Sequence, residues 1–209
     1  MNAKILILLA ALVPVLSGCF GAAAVGVGAG ALALADRRAT EVQVTDQAIE
    51  LRAGNRIAER FGNNTHVNVT SYNRTVLLTG EAPDAAAKAE IEKIVSAVPN
   101  VKALSNELQI GPVSTLTSRG NDAFITSKVK ARFIDADRFS ANHVKVVTEA
   151  GVVHLMGLVT QKEADAAVEI ARTTGGVRKV VRVFEIIGEA EAARLSPPPA
   201  PQSAPGSKQ

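Results

Sequence analysis

The chain contains few of the residue types on which several classes of function depend. Its 209 residues include one cysteine, one tyrosine and no tryptophan, and aromatic residues make up 3% of the sequence. A single cysteine cannot form an internal disulfide bond, so the fold must be stabilised by packing. The scarcity of aromatic rings argues against a base-stacking surface, and a formal net charge of +3 is too small for a nucleic-acid-binding stripe. The composition therefore predicts no nucleic-acid partner.

The sequence also lacks the clusters that are typical of enzymes. Its three histidines, His66, His143 and His154, show no metal-binding spacing with cysteine or carboxylate residues. No strand–turn–helix nucleophile motif is present. The glycine-rich segment 26–30 lacks the Lys-Ser/Thr ending of a phosphate-binding loop. We therefore predict no catalytic residue, no metal site and no cofactor.

The one cysteine, Cys19, lies at the end of an apolar N-terminal run. Lys4 precedes apolar residues 5–16, a length that suits a secretory signal and is too short to span a bilayer. The run ends in Leu-Ser-Gly-Cys at 16–19, which resembles a bacterial lipobox. The resemblance implies that Cys19 becomes the first residue of the mature chain and carries acyl chains on its sulfur and amino group. Two or more acyl chains would give a stable membrane anchor.

The residues after Cys19 bear on which membrane holds the protein. Lipoproteins of the inner membrane often have aspartate directly after the cysteine, whereas this chain has Phe20. The resemblance therefore implies the periplasmic face of the outer membrane of a Gram-negative cell. Residues 20–35 are rich in glycine and alanine and carry no charge, so an uncleaved inner-membrane anchor is an alternative. Each glycine weakens a helix by about 1 kcal/mol, which favours a flexible tether instead.

From residue 45 onward the chain contains an internal repeat. The segment His66-Val67-Asn68-Val69 recurs as His143-Val144-Lys145-Val146, 77 positions later. The same offset carries Gly80 to Gly157 and Ile57 to Ile134. Self-similarity over this length indicates one structural unit that is used twice.

Each unit has the residue pattern of a helix, a β-hairpin, a second helix and a final strand. Apolar residues recur on one helical face in each copy, and Thr45/Asp46 and Asn121/Asp122 are candidate N-caps. Alternating runs around the polar turns at 72–74 and 149–151 predict the two hairpins. His154 should lie on the strand face opposite Val153 and Leu155. We therefore predict an α+β fold of two αββαβ domains, each with a three-stranded mixed sheet packed by two helices.

These patterns divide the chain into six segments. We predict a lipoprotein signal peptide at 1–18, a lipidated N-terminus and tether at 19–44, a first domain at 45–111, a linker at 112–120, a second domain at 121–188, and a disordered Pro-rich tail at 189–209.

Both units resemble the BON domain. The resemblance rests on the hairpin that ends in glycine, Leu78-Thr79-Gly80 and Leu155-Met156-Gly157, and on the final strands at 101–106 and 177–182. Two such units behind a lipobox resemble the dual-BON-domain outer-membrane lipoproteins. The second copy departs from the pattern by placing Arg182 where the first has Asn106, so no side-chain role is transferred there. The resemblance implies a non-enzymatic protein that maintains outer-membrane integrity, gathers at division sites and binds anionic phospholipid through the first helix of its second BON unit.

That helix carries the candidate binding residues. If Ile125, Val129 and Phe133 pack inward, an apolar ring and basic side chains lie on neighbouring stripes. Such an arrangement suits a membrane interface, where a ring enters the acyl boundary and cations meet phosphate groups. The candidate residues for phosphatidylglycerol-like lipid are Phe124, Lys128, Lys130 and Arg132. The first helix of the other unit mixes both charge signs and should bind such lipid less well.

Two alternatives remain open at the level of sequence. Phe124 could cover the core while the basic residues are merely solvated. The whole chain could instead be a lipid-tethered scaffold that binds envelope-assembly, division or cell-wall proteins, with no lipid contact beyond the anchor.

The lipobox generates the first testable prediction. Mass spectrometry of the mature protein should find acylated Cys19 as its first residue, because signal peptidase cleavage and acylation occur at that cysteine. A mature chain that retains residues 1–18 and an unmodified Cys19 would contradict the lipobox and support the uncleaved anchor.

Overall fold

The computed structural model describes residues 36–196. The predicted signal peptide at 1–18, the predicted acylation site Cys19, residues 20–35 of the predicted tether and residues 197–209 of the predicted tail lie outside the described residues. Between residues 36 and 196, no helix is both long enough and apolar enough to cross a membrane.

The first repeat has the predicted order of elements, except that its final strand is divided in two, which gives a sheet of four strands instead of the predicted three. It contains α1 (Thr40–Phe61), β1 (His66–Tyr72), β2 (Thr75–Ala82), α2 (Ala85–Ser96), β3 (Ala103–Asn106) and β4 (Gln109–Ile110). Strand β1 pairs antiparallel with β2, while β3 and β4 both pair parallel with β2. The sheet is therefore mixed, and β2 is its central strand.

The second repeat follows the same order. It contains α3 (Leu116–Ala136), β5 (Lys145–Glu149), β6 (Val152–Val159), α4 (Gln161–Arg172) and β7 (Lys179–Ile186), followed by α5 (Glu189–Leu195). Strand β6 is central, with β5 antiparallel and β7 parallel to it. The predicted α+β fold with two mixed sheets is confirmed.

A buried aspartate in each first helix fastens the hairpin that follows. Asp46 accepts hydrogen bonds from the Ser71 hydroxyl at 2.7 Å and from the backbone N–H groups of Asn73 and Arg74 at 2.9 and 2.7 Å. Asn73 and Arg74 both have positive φ, as a two-residue type I′ turn requires. The carboxylate therefore stabilises a backbone conformation that non-glycine residues adopt at a cost. Asp122 does the same for the second hairpin through the N–H groups at 150 and 151.

These contacts correct the predicted N-caps. Asp46 and Asp122 lie inside their helices, which begin at Thr40 and Leu116. Helix α1 thus starts within the predicted tether, and α3 starts within the predicted linker, where the Thr115 side chain accepts the Ser118 N–H. Aspartate is typical of helix caps, but here each carboxylate points sideways to a turn that is distant in sequence.

Each repeat has its own apolar core between its helices and one face of its sheet. In the first repeat, Val76 and Leu78 of β2 pack against the buried face of α1 and against α2. In the second, Val153 and Leu155 of β6 pack in the same way beneath α3 and α4. The period of two along each strand places these residues on one face, as the sequence predicts.

The opposite faces of the two sheets form a third apolar cluster. Leu77 of β2, which points away from its own helices, packs with Tyr72 against Met156 and Leu158 of β6. Val147 and Val183 pack against the edge of this cluster. Both central strands are therefore buried on both faces, and the two repeats form one compact unit.

The residues after the second repeat add to this cluster. Ile187 and Ala192 are buried there, and Ala192 lies on α5. Residues 189–195 are thus helical, which differs from the disorder expected for the tail. Burial of Ala192 stabilises this helix. The Pro-rich composition that predicts disorder begins only at Ser196.

The hairpin contacts predict a specific loss of stability. Asp46→Ala should lower the free energy of unfolding by about 3 kcal/mol, because two turn N–H groups and the Ser71 hydroxyl lose a buried acceptor. Urea denaturation measures this change. Asp135→Ala, at an exposed position of α3, is the control and should change stability by less than about 0.5 kcal/mol. An equal effect of the two substitutions would show that Asp46 does not hold the turn.

Candidate functional site

Helix α3 presents two apolar faces on opposite sides. Ile125, Val129 and Phe133 are buried in the core of the second repeat, as their spacing predicts. On the other side, Leu116, Phe124 and Ile134 are 83%, 62% and 67% exposed. Leu116 and Ile134 are 18 residues apart, which is five full turns, so they lie on one line along the helix. We call Leu116, Phe124 and Ile134 the outer face.

Two residues of the outer face were not among the sequence candidates. Leu116 lies in the segment that was predicted to be a linker. Ile134 was matched to Ile57 by the offset of 77, but the structural equivalent of Ile57, which is buried, is Phe133. The repeat offset within the first helices is therefore 76. This shift of one position places Ile134 on the surface, and the register of the buried residues would have revealed it.

The basic candidates of α3 have different surroundings. Lys130 is exposed and lies one turn before Ile134. Arg132 donates hydrogen bonds to the carbonyl oxygen of Ile170 and to the hydroxyls of Thr173 and Thr174, at 3.0, 3.1 and 2.9 Å. It therefore binds the C-terminal end of α4, where a helix favours positive charge.

Lys128 connects the outer face with the same end of α4. Its Nζ lies 4.7 Å from the centre of the Phe124 ring and donates a hydrogen bond to the carbonyl oxygen of Gly175. A cation at this distance attracts the face of an aromatic ring. Phe124 thus lies outside the core, with its ring held beside a cation.

The corresponding helix of the first repeat differs in chemistry. It exposes two large apolar residues, Val44 and Leu51, and Leu51 is followed by Arg52, Arg56, Glu59 and Arg60. Arg56 donates to the carbonyl oxygen of Ala97, and Arg60 pairs with Glu90 of α2. The surface of α1 therefore mixes both charge signs, as the sequence predicts.

Residues 36–38, which lie within the predicted tether, are fastened to both repeats. Arg37 is buried and donates to both carboxylate oxygens of Glu163 at 2.7 and 2.9 Å, and to the carbonyl oxygen of Leu158 at 2.8 Å. Arg38 donates to Asp46 of the first repeat at 2.8 Å and stacks on the Tyr72 ring at 4.0 Å. We call Arg37 and Arg38 the arginine pair.

The arginine pair shifts the pKa values of the carboxyl groups that it contacts. Burial disfavours the charged forms of Asp36 and Glu163, but hydrogen bonds from Arg38 and Arg37 outweigh burial and lower the pKa of both carboxyl groups. Burial, followed by the charge of Asp36, raises the pKa of Tyr72 to about 12. These groups therefore keep fixed charge states throughout the neutral range.

The segment 36–38 also adjoins the outer face. Asp36 and Arg38 line a cavity of about 290 Å³ together with Lys130, Ile134 and Lys145. The point at which the described chain begins is therefore beside the C-terminal half of α3.

Two of the three histidines are buried as neutral groups. Burial, together with the nearby charge of Arg37, lowers the pKa of His143. Burial also lowers the pKa of His154, which lies on the face of β6 opposite Val153 and Leu155, as predicted. The third histidine, His66, lies beside Glu81 and Glu149, and these three residues form the one group with the geometry of a metal site within residues 36–196. Glu149 belongs to the second repeat, so spacing along the chain does not reveal this group.

Comparisons with known proteins agree with the two repeats. The BON domain family matches residues 45–112 and 121–188. The "Outer membrane lipoprotein DolP" of Haemophilus influenzae is 36% identical over 187 residues, which cover 88% of this chain and 96% of that protein. The "21 kDa hemolysin" of Actinobacillus pleuropneumoniae is 31% identical and covers 73% of this chain and 79% of its own length. The "Osmotically-inducible protein Y" of Escherichia coli is 32% identical over 56% of this chain and 59% of its own length.

The buried histidines predict a dependence of stability on pH. Their folded pKa values lie below the unfolded value of about 6.5, so the unfolded chain binds more protons as the pH falls. The free energy of unfolding should therefore fall between about pH 7.5 and pH 5.5, as measured by urea denaturation. The double variant His143→Gln/His154→Gln should show a shallower fall. Parallel curves for the variant and the wild type would contradict the assignment.

Proposed function

Because the chain belongs to the BON-domain family and contains two copies of the domain, we propose that it is a non-enzymatic lipoprotein that binds anionic phospholipid through its second copy. The outer membrane is the proposed location, on its periplasmic face. The name of the Haemophilus relative and the Phe20 that follows Cys19 support this location. The proposed role is maintenance of outer-membrane integrity at division sites, which the resemblance to dual-BON lipoproteins supports.

The observation that carries the proposal is the outer face of α3. Three large apolar side chains lie exposed along one helix, and Lys130 lies one turn before Ile134. Apolar residues on such a helix enter the boundary between headgroups and acyl chains, while lysine meets lipid phosphate. The candidate residue Phe124 and the further residues Leu116 and Ile134 would provide the apolar contact.

The roles of the basic candidates follow from their contacts. Lys130 is the cation most available to lipid phosphate. Lys128 holds the ring of Phe124 and the end of α4, so it would support the binding face as well as contribute charge. Arg132 uses its guanidinium on α4, which makes it mainly a positioning residue.

The expected affinity of the outer face for lipid is low, but the acyl anchor makes a low affinity sufficient for contact with the membrane. Partial burial of a few apolar side chains, at about 1.5–3 kcal/mol each when complete, and one cation at about 1 kcal/mol correspond to binding in roughly the millimolar range. A short flexible tether keeps a binding surface near the membrane that anchors it, at an effective concentration that is also about millimolar. Acylation at Cys19 would therefore let a weak surface contact orient the protein on the bilayer.

A second candidate function is a lipid-tethered scaffold for envelope-assembly, division or cell-wall proteins. A cavity of about 850 Å³ between α1 and α2 supports it, because this cavity combines apolar and charged residues. Its lining includes Ile94, Arg56, Arg60, Glu90 and Lys93. In this alternative the lipid serves only as an anchor.

Vesicle binding by residues 36–209 separates the two functions. The fragment should sediment with vesicles that contain phosphatidylglycerol and not with purely zwitterionic vesicles. Lys130→Glu should weaken this binding by more than about five-fold, the equivalent of one lost cation, and Phe124→Ser by about ten-fold. Charge reversal at Lys128 and Arg132 is less informative because it also removes contacts to α4.

Leu51→Ser on α1 provides the matched control, since Leu51 is 65% exposed on the equivalent helix of the first repeat. It should leave vesicle binding unchanged. Amide shifts by NMR should cluster on α3 when anionic micelles are added. Unchanged binding of the α3 variants, with folding intact, would favour the scaffold.

A further inference from the structure

Two carboxylates and a histidine meet where the two repeats face each other. His66 of β1 pairs with Glu81 of β2 across the hairpin, and its Nδ1 lies 3.1 Å from Glu81 Oε2. Glu149, the last residue of β5, comes from the second repeat. Within this group, one nitrogen and two carboxylate oxygens all lie within 4.8 Å of one another.

The charges of this group are not balanced by the protein. Glu81 is 7% exposed and Glu149 is 4% exposed. Among the residues that the structure describes, neither carboxylate has a lysine or arginine nitrogen within 4.0 Å, and Glu81 is paired with His66 alone. Arg119 lines a cavity that His66 and Glu149 also line, but it donates its hydrogen bonds to Ser114. Two buried carboxylates that share one imidazole are costly unless a further positive charge joins them.

The hydrogen bonds leave ligand positions available. Glu149 Oε2 accepts a hydrogen bond from the side chain of Asn68 at 3.0 Å, and Glu81 Oε2 accepts the N–H of Ser114. The other oxygen of each carboxylate accepts no hydrogen bond from residues 36–196. Burial raises the pKa of Glu149, the hydrogen bond from Asn68 opposes that rise, and the charge of Glu81 adds to it.

The second repeat provides an internal comparison. At its matching position, His143 Nδ1 lies 3.5 Å from a carboxylate oxygen of Glu163, so it too is a histidine beside a glutamate. There the guanidinium of Arg37 binds both oxygens of that carboxylate. The chain thus supplies its own cation to one histidine–glutamate pair. It supplies none to the other, which has an additional glutamate.

We propose that His66, Glu81 and Glu149 bind a divalent transition-metal ion, Zn²⁺ by the nature of the ligands, which bridges the two repeats. An imidazole nitrogen with two carboxylate oxygens is a ligand set that zinc accepts. Bonds of about 2.0 Å in tetrahedral geometry place neighbouring ligand atoms about 3.3 Å apart. The distance of 3.1 Å between His66 Nδ1 and Glu81 Oε2 is close to this value. The adjoining cavity of about 380 Å³ provides room for a water molecule as the fourth ligand.

The bridging ion would stabilise the packing of the two repeats against each other. Two ligands come from the first sheet and one from the second, so binding requires both repeats in the arrangement of the structure. A ligand that binds only this folded arrangement stabilises it in proportion to its concentration over its dissociation constant. The ion would therefore tighten the interface between the sheets.

Calorimetric titration with ZnCl₂ tests the site. The mature full-length chain, purified in detergent without an affinity tag and treated with a chelator, should bind one Zn²⁺ per molecule and unfold at a higher temperature when zinc is bound. Glu149→Gln keeps the shape of the side chain and removes its charge, and should weaken zinc binding by at least ten-fold. His66→Gln should do the same.

Glu185→Gln is the matched control. Glu185 also joins the repeats, through Asn73 and Lys102, but lies outside the metal cluster. This variant should bind zinc as the wild type does. Replacement of zinc by Co²⁺ adds a spectroscopic readout, since ligation by nitrogen and oxygen in tetrahedral geometry gives visible absorption. Absence of zinc binding, or equal binding by the wild type and Glu149→Gln, would overturn the proposal.

Discussion

The burial of one sheet against the other is the constraint on which the rest of the molecule depends. Each αββαβ unit covers one face of its sheet with its own helices and leaves Leu77, or Met156 and Leu158, on the other face. An apolar face of this kind must be covered, and the second repeat covers the first. The placement of the helices on the two outer sides follows directly. So does the meeting of His66 and Glu81 with Glu149, since only sheet-to-sheet packing brings β5 beside β1.

Two copies of one unit have acquired different surfaces while keeping the same core. Asp46 and Asp122 hold equivalent hairpins, and the buried residues of α1 and α3 correspond at an offset of 76. The exposed sides of the same helices differ: α1 exposes Val44 and Leu51 among charges of both signs, whereas α3 exposes Leu116, Phe124 and Ile134, with Lys130 one turn before Ile134. Core residues are constrained by packing density, whereas surface residues are free to specialise. A division of labour between the repeats is therefore compatible with a shared fold.

The repeats, their element order and their buried faces could be predicted from the sequence because these features depend on local periodicity. The consecutive apolar residues 76–78 of β2 and 155–159 of β6, which include one glycine, also carried a signal that both faces are buried, since a strand with one solvated face alternates more strictly. The helix starts were wrong because Asp46 and Asp122 serve distant turns. The surface position of Ile134 was missed because an error of one residue in the offset rotates a helical position by about 100°, here from the buried Phe133 to the exposed Ile134. The cluster around Glu149 depends on contact between repeats, which no local pattern contains.

The arginine pair has a mechanical consequence. Any pull transmitted along the chain towards Asp36 reaches Arg37 and Arg38 before it reaches the first turn of α1 at Thr40. Arg37 passes the load to Glu163 and the end of β6, and Arg38 passes it to Asp46, so both repeats share it in parallel. Without these contacts, the same force would unwind α1 one turn at a time from its free end. The arginine pair thus protects the N-terminal end of α1 from force that is applied at Asp36.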